Sequence, residues 1–253
     1  FELPFASDKR HIRVWLPEDY VFGGEKRFPV IYMSDGQNLV DRCLSAYGDW
    51  HLDRVMHRLK EEGFPNAILV GIDCPKDPGQ RENELNPPHK VRFSLFGRGP
   101  NKPIGDKMVN FMADELKPLI DELFLTLAGV GDTAIGGSSM GGIMAFYGFM
   151  SRPDVFGFSL SFSPPFFFYS RRRLLRLLDE YDVRPESKNK VFLYVGGEGF
   201  EKKFTDGVIW MAETLKNRGF GEDKLLSSVD KIKPHHEEAW SIYSYDAFKF
   251  WLG

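Results

Sequence analysis

The stretch TAIGGSSMGG (133–142) decides the fold. Its first residues are apolar or small and β-compatible. From Gly137 to Gly141 it reads G-x-S-x-G, and the next ten residues carry a helical pattern. A strand that breaks into a helix over five small residues makes a sharp, strained turn with one side chain at its apex. The register puts Ser139 at that apex, because centring the motif on Ser138 would require Met140 to be the closing glycine. The backbone N–H groups that follow open a helix, so the positive end of its dipole faces the Ser139 hydroxyl.

Outward from this turn the chain alternates strand and helix. HIRVWL (11–16), PVIYMS (29–34), AILVGID (67–73), FGFSLSF (156–162), VFLYV (191–195) and LLSSV (225–229) read as strands. Residues 49–63 carry Leu52, Val55, Met56 and Leu59 at helical spacing, with Gly63 as a stop. Helices are also expected over 105–124, with a kink at Pro118, and over 140–150, 171–181, 204–218 and 240–252. Residues 74–104 read as a long polar segment rich in Pro and Gly. Continuous apolar strands between helices predict an α/β domain spanning 1–253, with a mostly parallel sheet covered on both faces. Ligands of such sheets sit beyond the carboxyl ends of the strands.

That rule directs attention to residues just after strands. A serine on such a turn needs a histidine base and an acid, which follow it in the order acid, then histidine. Only His235 and His236 lie after Ser139, between LLSSV and the last helix, so the base is one of them. After VFLYV comes GGEGFE (196–201); Glu198 is the first choice for the acid and Glu201 the alternative. The acid would fix the imidazole tautomer and stabilise its cation. Ordinary surface glutamates are the competing explanation for both.

Composition fits an ordinary globular protein. Of 253 residues, 42% are hydrophobic and 27% charged, and the net charge of −3 points to no nucleic-acid partner and no anionic membrane. Two cysteines, Cys43 and Cys74, fit a reducing compartment and hence a cytoplasmic location, although the chain begins at Phe1. No apolar run reaches the length of a membrane helix. His235-His236-Glu237-Glu238 lacks the spacing of a metal motif, so neither metal nor other cofactor is expected.

The chain resembles the putative-esterase family of α/β-hydrolases, which includes enterochelin esterases, feruloyl esterase domains and mycolyltransferases. The resemblance rests on HIRVWLPEDY (11–20), FPVIYMSDGQNLVD (28–41), RENEL (81–85), FMADELKPLIDELF (111–124), GGSSMGG (136–142) and HHEEAW (235–240). It implies an α/β-hydrolase fold and hydrolysis of a carboxylic ester through an acyl-enzyme on Ser139. The H-x-E-x-x-W pattern implies His235 as the base. An oxyanion hole from the backbone N–H groups of Gln37 and Met140 is likewise implied. GGEGFE departs from the family's usual acid pattern, which leaves a Ser–His dyad without an acid as a further alternative. Acyl transfer through the same intermediate, or a non-catalytic interaction module, are the competing functions.

Two segments after strands are expected to build the substrate pocket. Residues 81–103 carry Arg81, Lys90, Arg92, Arg98 and Lys102 with Phe93 and Phe96; residues 162–169 read FSPPFFFY and include Phe166 and Phe167. Together they predict apolar walls with a cationic rim, and a preference for aromatic, medium-chain or anionic substrates. The alternatives are a solvated basic loop for the first and packing under the 171–181 helix for the second.

Overall fold

A computed structural model describes residues 2–6, 9–45, 48–88, 102–185 and 189–253. Seven strands form one sheet: β1 (Ile12–Trp15), β2 (Val30–Ser34), β3 (Ile68–Ile72), β4 (Thr133–Ser138), β5 (Phe158–Phe162), β6 (Lys190–Gly196) and β7 (Leu225–Asp230). Their order is β1-β3-β2-β4-β5-β6-β7. Only β1 runs antiparallel, against β3; every other pairing is parallel. This is the α/β-hydrolase fold.

Alternation along the central strands explains why both faces are covered. Val30 and Tyr32 of β2, with Val191, Leu193 and Val195 of β6, enter one apolar cluster. Ile31 and Met33, with Phe192 and Tyr194, enter the other. Period-two side chains that are apolar on both faces need cover on both. The second cluster is closed by α1 (Leu52–Glu61) and by the last helix, Glu237–Leu252, which contribute Leu52, Met56, Leu59, Phe248 and Trp251. Helices of the central and later chain close the first.

Two elements differ from the reading of the sequence. Residues 74–104 are not wholly irregular, since Pro78–Leu85 form α2. Asp77 caps it by accepting from Gly79 N–H at 2.8 Å, and Pro78 stands at its first position. The helix over 105–124 is three pieces: α3 (Gly105–Phe111), a π-helical turn (Met112–Leu116) and α4 (Lys117–Leu123). Pro118 has no N–H for the ladder, and the wider turn lies immediately before it, with Lys117 N–H donating to Met112 O.

The remaining helices are α5 (Met140–Ser151), α6 (Arg171–Glu180), α7 (Lys202–Asn217) and α8 (Glu237–Leu252). Helix α5 is buried from Met140 through Met150, which makes it the central support behind β4. Among the described residues, no helix is long and apolar enough to cross a membrane.

Candidate active site

Beyond the end of β4, Ser139 has φ 54° and ψ −118°. A non-glycine residue there costs on the order of 1–3 kcal/mol. The surroundings hold it: Ser139 N–H donates to Phe162 O at 2.8 Å, and α5 begins at the next residue. A Cβ on Gly141 would overlap Ser34 Oγ, so glycine is required where the helix crosses the end of β2.

Histidine 235 lies in the loop after β7. Its Nδ1 hydrogen-bonds Glu201 Oε2. Phe204, Trp240 and Phe200 surround the ring at centroid distances of 4.6, 5.0 and 5.5 Å. The neighbouring His236 has another position: it is the N-cap of α8, its Nδ1 accepting from Glu238 N–H at 3.3 Å.

The carboxylate that meets the imidazole is Glu201, whereas the sequence pointed first to Glu198. Glu198 is exposed, and its backbone N–H donates to Lys233 O at 3.1 Å. A 3-10 turn, Gly199–Glu201, explains the difference. Gly199 takes φ 57°, and two residues later the Glu201 side chain is wholly buried. Its Oε1 accepts from Ser163 Oγ–H and from Gly196 N–H, the latter at 3.0 Å. Ser163 Oγ in turn accepts from Trp240 Nε1–H at 2.9 Å. A buried carboxylate with three donors meets the condition for keeping a charge out of water. A Cβ on Gly196 would overlap Lys233 O, so this glycine lets the histidine loop close on β6.

Sequence reasoning missed Ser163. The signal was present, since Ser163 is the first residue after β5, at the carboxyl edge of the sheet where ligands of such folds sit.

Across the cleft, Asp35 follows β2 with φ 56°. Arg81 of α2 grips its carboxylate with both forks, Nε to Oδ1 at 2.7 Å and Nη2 to Oδ2 at 2.6 Å. Arg81 thus lines the cleft but is committed to holding this turn. Gln37 in the same turn clamps the loop after β3: Cys74 N–H donates to Gln37 Oε1 at 3.0 Å, and Gln37 Nε2 to Cys74 Sγ at 3.2 Å. Burial, aided by the Asp35 charge, pushes the Cys74 thiol up to about 11. Both cysteines are free thiols. Met140 is buried as the first residue of α5.

Ser139, His235, Gln37 and Arg81 open onto one cleft of about 480 Å³. Its walls include Leu44, Lys76, His236, Glu237 and Trp240. Phe166 does not belong to it. Its buried ring packs edge-on against Phe146 of α5 at 5.2 Å, in the core. Phe167 packs against Phe204 at 5.0 Å, behind the histidine rather than in the cleft wall. Arg92, Lys90, Arg98, Phe93 and Phe96 lie outside the described residues. Of the expected cationic rim, Arg81 lines the cleft; Lys76, from outside that segment, is a further cation there.

The sequence profile of the family described as "Putative esterase" matches residues 6–241. The Bacillus subtilis (strain 168) protein YbbA is 23% identical over 259 residues, covering 98% of this chain and 94% of its own. An endo-1,4-beta-xylanase/feruloyl esterase of Xylanibacter ruminicola is 25% identical over 219 residues, 85% of this chain but 26% of that protein. Among solved structures, the BES protein from Bacillus cereus has a TM-score of 0.76 at 19% identity, covering 100% of this chain and 93% of that one. The enterobactin esterase FES from Shigella flexneri has a TM-score of 0.70 at 18% identity, with 96% and 55% covered.

Proposed function

The chain belongs to the putative-esterase family and is a carboxylic ester hydrolase, and on that premise we propose that it works through an acyl-enzyme on Ser139, with His235 as base and Glu201 as the acid that orients it. The observation that carries this reading is the opening of Ser139 and His235 onto one cleft while Glu201 occupies Nδ1 of the imidazole.

Each step follows from that arrangement. With Nδ1–H donated to Glu201, the ring's Nε2 lone pair is left to take a proton. The Ser139 Oγ attacks the ester carbonyl carbon while its proton passes to His235 Nε2. The carbonyl oxygen gains the negative charge, and the backbone N–H groups of Met140 and Gln37 receive it. Glu201 stabilises the imidazolium without taking the proton itself. When the tetrahedral intermediate collapses, the C–O bond to the alcohol breaks and Nε2 returns the proton to the leaving oxygen. Water then attacks the acyl-enzyme by the same route and regenerates Ser139. The N-terminus of α5 adds its dipole at the oxyanion.

The test is turnover of an aryl butyrate together with labelling by an active-site-directed phosphonate. Ser139→Ala is expected to lower kcat by about 10⁴-fold or more. The phosphonate should attach to Ser139. Attachment to Ser138, or full activity in Ser139→Ala, overturns the assignment.

A further inference from the structure

Three of the charged groups around the cleft already have partners. Asp35 is held by Arg81, Glu201 by His235, Ser163 and Gly196, and Asp73 below the rim by Arg13 at 2.7 Å. Glu237 differs. It lines the cleft beside Ser139 and His235, yet its side chain is nearly inaccessible to solvent. Among the described residues it forms no ion pair; its carboxyl accepts from its own backbone N–H and, at a long 3.4 Å, from Asn38 Nδ2, which leaves acceptor capacity on its two oxygens. Buried polar groups are normally matched. A carboxyl this weakly partnered, in a substrate cleft, is an acceptor left open for a ligand.

We propose that Glu237 is a specificity-determining residue that accepts a hydrogen bond from a neutral hydroxyl on the alcohol portion of the ester. The proposal rests on the esterase reading above and adds the class of alcohol to it. Position selects the alcohol side: the leaving oxygen takes its proton from His235, and Glu237 lies two residues further on, at the start of α8. Charge selects a neutral donor. The cleft already holds the cations of Lys76 and Arg81, and His235 becomes cationic during turnover, so an ammonium substrate is disfavoured. An anionic alcohol portion would face the carboxyl of Glu237 itself. Burial, with the nearby Asp35 charge, raises the Glu237 pKa above the ordinary glutamate value, while the hydrogen bond from its own backbone N–H favours the ionised, accepting form. His236 and His235 oppose that rise.

The experiment compares 2-hydroxyethyl butyrate with propyl butyrate, which differ by a hydroxyl in place of a methyl group. The native protein is expected to favour the hydroxyethyl ester in kcat/KM by roughly tenfold or more, because a site with an unfilled acceptor discriminates against the analogue that lacks the donor. Glu237→Ala should bring the ratio to about one, and Glu237→Gln, which keeps an acceptor oxygen, should retain part of it. A residue that merely braced the Asn38 turn would lower both substrates equally and leave the ratio alone. An unchanged ratio in Glu237→Ala overturns the proposal. So do equal kcat/KM values in the native protein, whatever the folding of the variants. Hydrolysis of neither ester by native protein that turns over the aryl butyrate overturns this proposal alone; failure on the aryl butyrate as well counts against the acyl-enzyme reading on which it rests.

Discussion

At the scale of single residues, the site turns on which carboxylate reaches His235. Glu201 and Glu198 are three residues apart, and only Glu201 is buried. Its oxygens bind the imidazole, the Ser163 hydroxyl and the Gly196 amide. Glu201→Gln replaces one acceptor oxygen with a donor and faces Nδ1–H or Ser163 with the wrong group. Loss of a triad acid favours the wrong tautomer, and kcat is expected to fall by about 10³–10⁴-fold. Glu198→Gln should leave kcat within about twofold, since its side chain faces solvent. Steady-state kinetics on one aryl ester check both; equal losses in the two variants would contradict the assignment. The sequence made the apex serine legible because the elbow is a local pattern, complete within five residues. The acid was legible only to within GGEGFE. Its offset depends on Gly199 entering the left-handed region and on Gly196 and Gly197 admitting the close approach of the histidine loop, and neither is visible in the local pattern.

At the scale of elements, each member of the site stands at the carboxyl end of a strand or the start of a helix. The two histidines show how much an element's boundary decides. His236 at φ −155° is extended backbone and caps α8; His235 precedes it and is free to turn into the aromatic box of Phe200, Phe204 and Trp240. His235→Ala is expected to be nearly inactive while remaining folded. His236→Ala should lose about 0.5–1 kcal/mol of stability from the weakened cap and keep most of its turnover. Thermal melts beside initial rates separate the two, and mild, equal kinetic losses would sink the distinction. Strand and helix types were readable from periodicity wherever an apolar pattern ran through the element. The missed helix, α2, had its Asp77-Pro78 start signal, but its eight residues are mostly polar and lack a strong apolar stripe. The expected aromatic pocket at 166–167 failed for a tertiary reason. The two prolines turn the chain back under α5 and α7, so rings that looked spare in sequence found core neighbours.

At the scale of the whole molecule, the cleft depends on a brace that begins far from it. Arg10, ahead of β1, forms an ion pair with Glu84 of α2 at 2.6 Å, and both side chains are 2% exposed. Gln80 Nε2 also donates to Glu84, at 2.9 Å. One turn earlier on α2, Arg81 holds Asp35 and with it the turn that carries Gln37. The N-terminal segment, α2 and the Gln37 side of the cleft are thus linked through three residues of one short helix. Desolvating two charges offsets much of their attraction, so this pair contributes little net stability compared with an apolar replacement. Removing one partner alone is a different matter, because the remaining buried charge loses its counter-charge. Arg10→Met is expected to cost about 3–5 kcal/mol in urea unfolding. The double variant Arg10→Met, Glu84→Leu should recover most of that loss, since neither charge then remains in the core. If α2 transmits the brace to Asp35, the single variant should also lower kcat/KM on a simple aryl ester, and the double variant should restore it along with stability. A single variant that unfolds at the native urea midpoint would show that Glu84 finds its compensation elsewhere. A double variant that is stable but stays inactive would show that the charge pair, rather than the packing of α2, sets the position of the Asp35 turn.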